Sequence, residues 1–413
     1  MIGNPPYFNI QTLGAKSPYV QKVMKTYSDI WQDKSDILFY FFRLAMDLSR
    51  NIICFITSNA YLFSDKAKKL RNKMIDDGRL SKIINFEEFM IFNSASITTC
   101  ITVFAKNQKG FSAVNVKGKT QIIDDVINFI KDSKNAYKVD LKKDSVFALT
   151  DSKISALNAK IDGNNTQLRD LFKIGKGMET AANDVFCFSY YPKQFPKEFI
   201  KRRMCGEIIN KYVHSEKDEY VLYFEQVENL DNLPQSILKH LNSNKKILCE
   251  RATVKNEGRA WWKYSRPMHK EYYNLNKIWC SYRSKTNIFA LDESTDYVGL
   301  TNTTVIFDTN KSISLKYLLA LLNSAVLTFR YKSIGKQTGS GVYEYFENGV
   351  GKLPIPPATP AQQQEIITLV DKILAAKKED SSADTSVLEK QIDTLVYKLY
   401  GLTEEEIAIV EGK

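Results

Sequence analysis

Residues 36–50 read DILFYFFRLAMDLSR, a nearly continuous apolar run with its charges kept to one side, which predicts a mostly buried helix. The next residues, NIICFIT at 51–57, are short, apolar and β-branched, as in a buried parallel strand. Ser58 and Asn59 end that run. Ser64 or Asp65 can cap a helix over 66–77 that Gly78 closes. Strands are predicted again at 80–86 and at 98–105 (TTCITVFA). Strand, helix and strand in alternation predict an α/β doubly wound sheet. From 109 to 168 the pattern is polar and mixed, with a linker predicted at about 153–165. A second body begins near Leu168, richer in aromatic and turn residues. It carries strand-like runs at 220–224, 277–282 and 304–307 and a helix at 315–329. GVGKLPIPP at 349–357 predicts a rigid, extended exit. Two amphipathic helices follow at 362–376 and 387–399, separated by a Ser/Asp-rich loop at 380–385. The first places Ile366, Leu369, Val370, Ile373 and Leu374 on one stripe suited to a neighbouring helix.

A chain of 413 residues suggests two or three domains. A hydrophobic content of 44% is ordinary globular material. The net charge of +11 makes a polyanionic partner plausible, against the plainer reading of a soluble basic protein. Six scattered cysteines and three histidines offer no spacing for zinc, so no metal site is expected. The cysteines read as reduced thiols of a cytoplasmic protein. There is no signal-peptide pattern, and no apolar run reaches membrane-spanning length.

Near the start stand Asn4, Pro5, Pro6 and Tyr7. The Asn side-chain carbonyl and the first Pro carbonyl can both accept from one exocyclic NH₂ group, such as that of adenine. Two prolines fix φ and stiffen the corner that aims those acceptors. The Tyr ring offers a stacking face to an extruded base. Four residues also make a Pro-rich turn, and the motif alone does not choose between the two.

With GNPPY at 3–7, ITSNAYLFSDKAKKLR at 56–71 and INFEEFMIFNSASITTCITVF at 84–104, the first part of the chain resembles the γ-class adenine-specific DNA methyltransferases, including the methylase half of type IIG restriction–modification enzymes. RDLFKIGKGMETAANDVFCF at 169–188, RAWWKYSRP at 259–267, residues 297–306, GKLPIPP at 351–357 and the tail at 392–412 resemble a TaqI-like C-terminal specificity domain. The resemblance implies the C-terminal part of such an enzyme. Its catalytic residues would be Asn4, Pro5, Pro6 and Tyr7, with Asn4 and the Pro5 carbonyl accepting from the adenine amino group. Tyr7 would stack on the flipped base, and Phe92 in MIFNSAS would pack against it. A core aromatic beside Phe86 and Phe89 is the alternative for Phe92.

The same resemblance implies double-stranded DNA as partner and S-adenosylmethionine as cofactor. Lys176, Thr180 and Asn183 in GKGMETAAND look like a loop placed on DNA, or else a plain turn between strands. Arg251, Arg259, Lys263 and Arg266 flank Trp261 and Trp262, a basic and aromatic mixture that fits a nucleic-acid surface, with Trp262 expected in the core. Lys332, Lys336 and Gln337, beside Thr338-Gly339-Ser340-Gly341, form a further contact loop or a solvated one. The Gly-rich loop and acidic residue that cradle the cofactor precede NPPY in the γ order, and only three residues precede it here. GKG at 175–177 and GSG at 339–341 do not replace them. The strand at 52–57 would then be an open apolar edge unless another chain completes the sheet.

The expected architecture is therefore α/β: an incomplete doubly wound methyltransferase-like sheet, an α+β target-recognition domain and C-terminal helices. Its expected divisions are 1–110, 111–165, 166–357 and 358–413. Three functions are compatible with it: a DNA-recognising methyltransferase part that needs a separate cofactor-binding polypeptide, a non-catalytic DNA-binding module, or a protein-contacting chain that assembles through 362–400.

Overall fold

The computed structural model describes every residue except 15, 87–88, 90, 93–97, 109, 117–121, 269, 309–312 and 340. Two compact units emerge: Met1–Lys160 with Lys332–Glu344, and Ile161–Tyr331 with Tyr345–Lys413. The first division thus falls at 160, and residues 111–160 join the first unit rather than standing apart.

The first unit is built on a six-stranded mixed sheet. Its strands are β1 (Ile2–Gly3), β2 (Ile52–Ser58), β3 (Leu80–Phe86), β4 (Thr99–Ala105), β5 (Ser112–Val116) and β6 (Tyr137–Lys138). They lie in the order β1-β2-β4-β3-β5-β6. β1 runs parallel to β2, and β3 parallel to β5, while β4 is antiparallel to both β2 and β3. In β2 the buried positions include Ile53, Phe55 and Thr57, with half-buried residues between them, so the strand buries chiefly one face rather than both.

That face meets the apolar helix expected from the sequence. It is Leu38–Leu48, the second of the α-helices among the described residues here: α1 (Pro18–Thr26), α2 (Leu38–Leu48), α3 (Ala60–Phe63), α4 (Lys68–Asp77), α5 (Ile123–Lys131) and α6 (Ser152–Asp162). Phe42 of α2 packs with its ring centroid 5.4 Å from Phe55 and 5.4 Å from Tyr61. Burying such a ring contributes roughly 2–3 kcal/mol. A smaller cluster of Ile84, Phe86, Phe89, Val114, Val116 and Val126 joins β3, β5 and α5. α4 is preceded by a tight turn in which Ser64 accepts from the Lys66 N–H, and Gly78 ends it in the left-handed region at φ +71.

The stretch 109–168 is not a polar connector. It supplies β5, α5 and β6, and α6 occupies most of the predicted linker. Its apolar residues are few but well placed, with Ala113, Val114, Leu157 and Ile161 all buried. The single helix predicted over 315–329 is two helices, Leu315–Asn323 and Ala325–Ile334. Ser324 breaks them in an extended conformation (ψ 158), and Asp393 accepts from the Ala325 N–H at 2.8 Å, capping the second helix from another part of the chain.

The second unit holds two four-stranded sheets. One has the order Phe289–Asp292, Lys277–Ser281, Thr303–Phe307, Lys173–Lys176, and the other Tyr297–Gly299, Ile200–Met204, Tyr220–Leu222, Cys187–Phe188. Its core is aromatic, including Phe186, Phe224, Trp262, Tyr264 and Trp279. Within it Lys277 and Asp292 form a fully buried ion pair at 3.3 Å, and Asp292 also accepts from Trp279 Nε1. The helices Pro360–Glu379 and Ser386–Leu399 close the unit. Thr359 and Gln362 cap the first reciprocally. Ile366, Val370 and Ile373 of its stripe are buried, and Leu369 and Leu374 half-buried. Among the described residues no helix is long and apolar enough to cross a membrane.

Candidate functional site

Gly3 pairs with Phe55, so Asn4, Pro5, Pro6 and Tyr7 leave the sheet at the carboxyl end of β1. Pro5 is buried, Asn4 and Pro6 are exposed, and Tyr7 packs half-buried against the first unit's main core. Beyond the corner the chain is tied down again. Phe8 O accepts from the Ile37 N–H at 2.9 Å, and the Ile10 N–H donates to Ser35 O at 3.0 Å. Asn9 bridges Asp36, and its side chain accepts from the Gln11 N–H. The corner is therefore held on both sides while its amide side chain faces outward.

Asp36, at the second tie, reads in the sequence only as the polar start of α2. Burial raises its carboxyl from 3.8 to about 6, against backbone N–H donors at Leu38 and Phe8 that pull it down. A carboxyl with a raised folded-state value favours folding when protonated. Its contribution is complete below pH 3.8 and is lost as pH rises through about 6. Asp36→Asn is accordingly expected to raise the melting temperature more at pH 8 than at pH 4. Equal shifts at the two pH values, in paired thermal melts, would dismiss the carboxyl as the cause.

Phe92 follows β3 and is half-buried, whereas Phe86 and Phe89 are core residues with ring centroids 6.4 Å apart. Residues 93–97 of the same motif lie outside the described residues, as does Ser340.

The nine residues expected on DNA divide sharply by environment. Lys176, Asn183, Arg266 and Lys332 are exposed. Lys176 stands 5.4 Å from the Tyr282 ring centre, and Arg266 holds Glu257 through two bonds of 2.5 and 2.6 Å at the surface. Lys336 pairs with Glu344 at 2.7 Å. Thr180 is buried, with its hydroxyl on Asn183 Oδ1 and on the Ala182 N–H. Arg251 is buried as well and donates to the carbonyls of Leu248, Thr180, Trp261 and Lys263. Desolvation lowers its pKa, with Arg259 adding to the effect. Arg259 bonds Tyr264 O and Glu225. Lys263 lies 4.5 Å over Trp262 and donates to Glu225 O and Val227 O. Thr180 and Arg251 therefore turn inward and brace the loop. Trp262 is in the core.

Gly177 has a structural reason of its own. A Cβ there would lie 2.1 Å from Leu300 O, so the glycine serves the approach of two backbone segments.

Residues 1–92 match the Eco57I restriction-modification methylase family, and residues 201–355 match the TaqI-like C-terminal specificity domain. The chain is a relative of the type II restriction–modification methyltransferases. It is 23% identical over 414 residues to the type II methyltransferase M.HindII of Haemophilus influenzae, covering 86% of this chain and 74% of that one. It is 20% identical over 477 residues to the restriction enzyme and methyltransferase RM.Eco57I of Escherichia coli, covering 100% of this chain and 47% of the relative. The fold matches that of the type IIL restriction-modification enzyme MmeI, solved in complex with DNA, at a TM-score of 0.70 and 12% identity. That match covers all of this chain and 56% of MmeI. The chain thus spans about half the length of RM.Eco57I and of MmeI.

Proposed function

We propose that this chain supplies the target-base pocket and the DNA-recognition surface of a site-specific adenine-N6 methyltransferase. The observation that carries the reading is the NPPY corner, anchored at the carboxyl end of β1 and by the Asn9–Asp36 bridge, inside a segment that matches a methylase family. An adenine amino group inside a duplex is shielded, so the base has to be extruded. Asn4 Oδ1 and the Pro5 carbonyl would accept from its two N–H bonds, Tyr7 would stack on the ring and Phe92 would cover it. Orientation of the amine is this chain's main contribution to rate.

S-adenosylmethionine is the methyl donor such relatives imply, and Gly177 does not fit a cradle for it. Gly177 is committed to the Leu300 carbonyl, and Gly341 sits at φ +70 in a turn of the Lys332–Glu344 segment. We place the donor site on a polypeptide that pairs with β1. That strand is two residues long and forms the sheet's edge. Ile2 is 85% exposed and Ile52 54%, and Phe41, Leu44 and Leu48 stand exposed at one helical spacing along α2. An unpaired edge beside an apolar face suits an added strand and helix. β2, expected from the sequence to be the open edge, is instead covered by β1 over Cys54 and Phe55.

A DNA-binding module without catalysis is the second reading, favoured by the second unit's large core of its own. The two separate on methylation of duplex DNA by the chain mixed with its cofactor-binding partner. Transfer supports the first reading, and DNA binding without transfer the second.

The exposed cations lead to a further expectation. Lys176→Ala and Arg266→Ala should each weaken DNA binding on all sequences and reduce the slope of log K against log salt by about 1. A titration series from low to moderate salt checks this, and unaltered slopes would remove both residues from the contact surface.

A further inference from the structure

Three asparagines form a chain of amides at the carboxyl end of β2, β3 and β5, buried at Asn59 and Asn85 and half-buried at Asn115, with every donor pointing the same way. Thr98 Oγ1 donates to Asn59 Oδ1 at 2.9 Å, and Asn59 Nδ2 donates to Asn85 Oδ1 at 3.0 Å. Asn85 Nδ2 donates to Asn115 Oδ1 at 3.3 Å, and Asn115 Nδ2 to Leu149 O at 2.6 Å. Asn59 and Asn85 are each 1% exposed. The Asn59 N–H also donates to Thr98 O at 3.1 Å, so Asn59 holds Thr98 by backbone and side chain together.

The positions of these residues matter more than their number. Asn59 directly follows β2, the strand that pairs with β1 ahead of the Asn4–Tyr7 corner. Asn85 is the last residue but one of β3, and Thr98 directly precedes β4. One side chain therefore joins both ends of the segment between β3 and β4, which carries Phe92, to the strand beside the corner. The residues after Asn59 are fixed as well. The buried Arg71 donates to Tyr61 O at 2.8 Å, Ser64 O at 2.7 Å and Ser145 O at 2.8 Å. Burying an amide is costly unless its bonds are made, and an apolar residue would fill the same space with less risk. An amide whose oxygen and nitrogen are both bonded gives up that simplicity for a fixed geometry.

We infer that Asn59 is the positioning residue of the base pocket, tying Asn85 and Thr98, which flank Phe92, to the strand beside the NPPY corner. The inference rests on the proposed function and deepens it. Asn59 touches neither base nor donor in this role and acts through Thr98 and Asn85.

The test uses the full chain as Asn59→Ala, Thr98→Val and Thr98→Ser. Thr98→Val removes one bond of the chain at nearly constant shape, so it remains informative if Asn59→Ala folds poorly. Thr98→Ser keeps the hydroxyl. Duplexes selected by the wild-type chain from a random pool carry 2-aminopurine at each adenine in turn, and the fluorescence gain on binding reads extrusion of the base. Asn59→Ala and Thr98→Val are expected to reduce the gain on the order of tenfold, the effect of one lost buried hydrogen bond, with DNA affinity within about twofold. Thr98→Ser should match the wild type. Hydrogen exchange without DNA should rise across Phe86, Phe89 and Phe92 in the first two variants only. Full gain and unaltered exchange in both Asn59→Ala and Thr98→Val would overturn the inference. A wild-type chain that gives no gain on any selected duplex would overturn the base-pocket reading itself and the role of Asn59 with it, whatever the exchange shows.

Discussion

Asn4→Ala is expected to lower methyl transfer by roughly 10²-fold or more in the complete enzyme while leaving DNA affinity within about twofold. Asn4 stands outside the core, at a corner whose stiffness comes from Pro5 and Pro6 and whose ends are tied to Phe55 and to residues 35–37. Removing its amide therefore disturbs neither sheet nor helix, and the melting temperature should move little. On the proposed function, what is lost is an acceptor for an amine that grows more positive as the methyl group arrives. Such an interaction strengthens on the way to the transition state, so its loss falls on turnover rather than on binding. Single-turnover kinetics beside a DNA-binding titration decide the matter. Parallel losses in rate and affinity would mean that Asn4 only holds the fold or the DNA.

Arg251→Ala should have the largest effect on stability, about 3–5 kcal/mol by analogy with breaking a buried charged contact. In the sequence Arg251 belongs to a basic and aromatic run that points to DNA. In the folded chain its guanidinium is enclosed and spans four carbonyls, from Leu248, Thr180, Trp261 and Lys263, at 2.5 to 3.0 Å. Its carbon lies 5.8 Å from the centre of the Phe186 ring. Alanine strands several buried acceptors at once, each expensive to leave unpaired. Lysine, a point charge with no fork, cannot bridge them either and should recover little. Denaturant unfolding measures the loss. Below the melting transition the salt dependence of DNA binding should match the wild type, because no phosphate contact has been removed. A normal unfolding midpoint with a shallower salt slope would return Arg251 to the DNA surface.

The contrast between Arg251 and Arg266 shows where the sequence stops. Both are arginines in one basic stretch, and composition treats them alike. Arg251 turns inward because the carbonyls around Thr180 and Trp261 converge on it. Arg266 stays at the surface, where Glu257 is its partner. Convergence of carbonyls from residues up to 71 positions away is a property of the folded chain alone. Asn59, Asn85 and Asn115 pose the same problem, being scattered in the sequence and linked only once β2, β4, β3 and β5 assemble side by side. A polar residue inside an apolar run, as Asn85 is in IINF, was the one available sign.

By itself the sequence determined the helices near 36–50 and 66–77, the strands near 51–57, 80–86 and 98–105, the order of the two matched regions and the NPPY corner. These rest on local periodicity and on short motifs whose chemistry is carried by neighbouring residues. Tertiary structure alone decided that 111–160 belongs to the first unit, that β4 enters antiparallel between β2 and β3, and which basic residues face outward. The physical reason is common to all three. Each depends on pairing and burial between distant segments, where a few well-placed apolar residues or converging carbonyls outweigh the average polarity of the stretch that contains them.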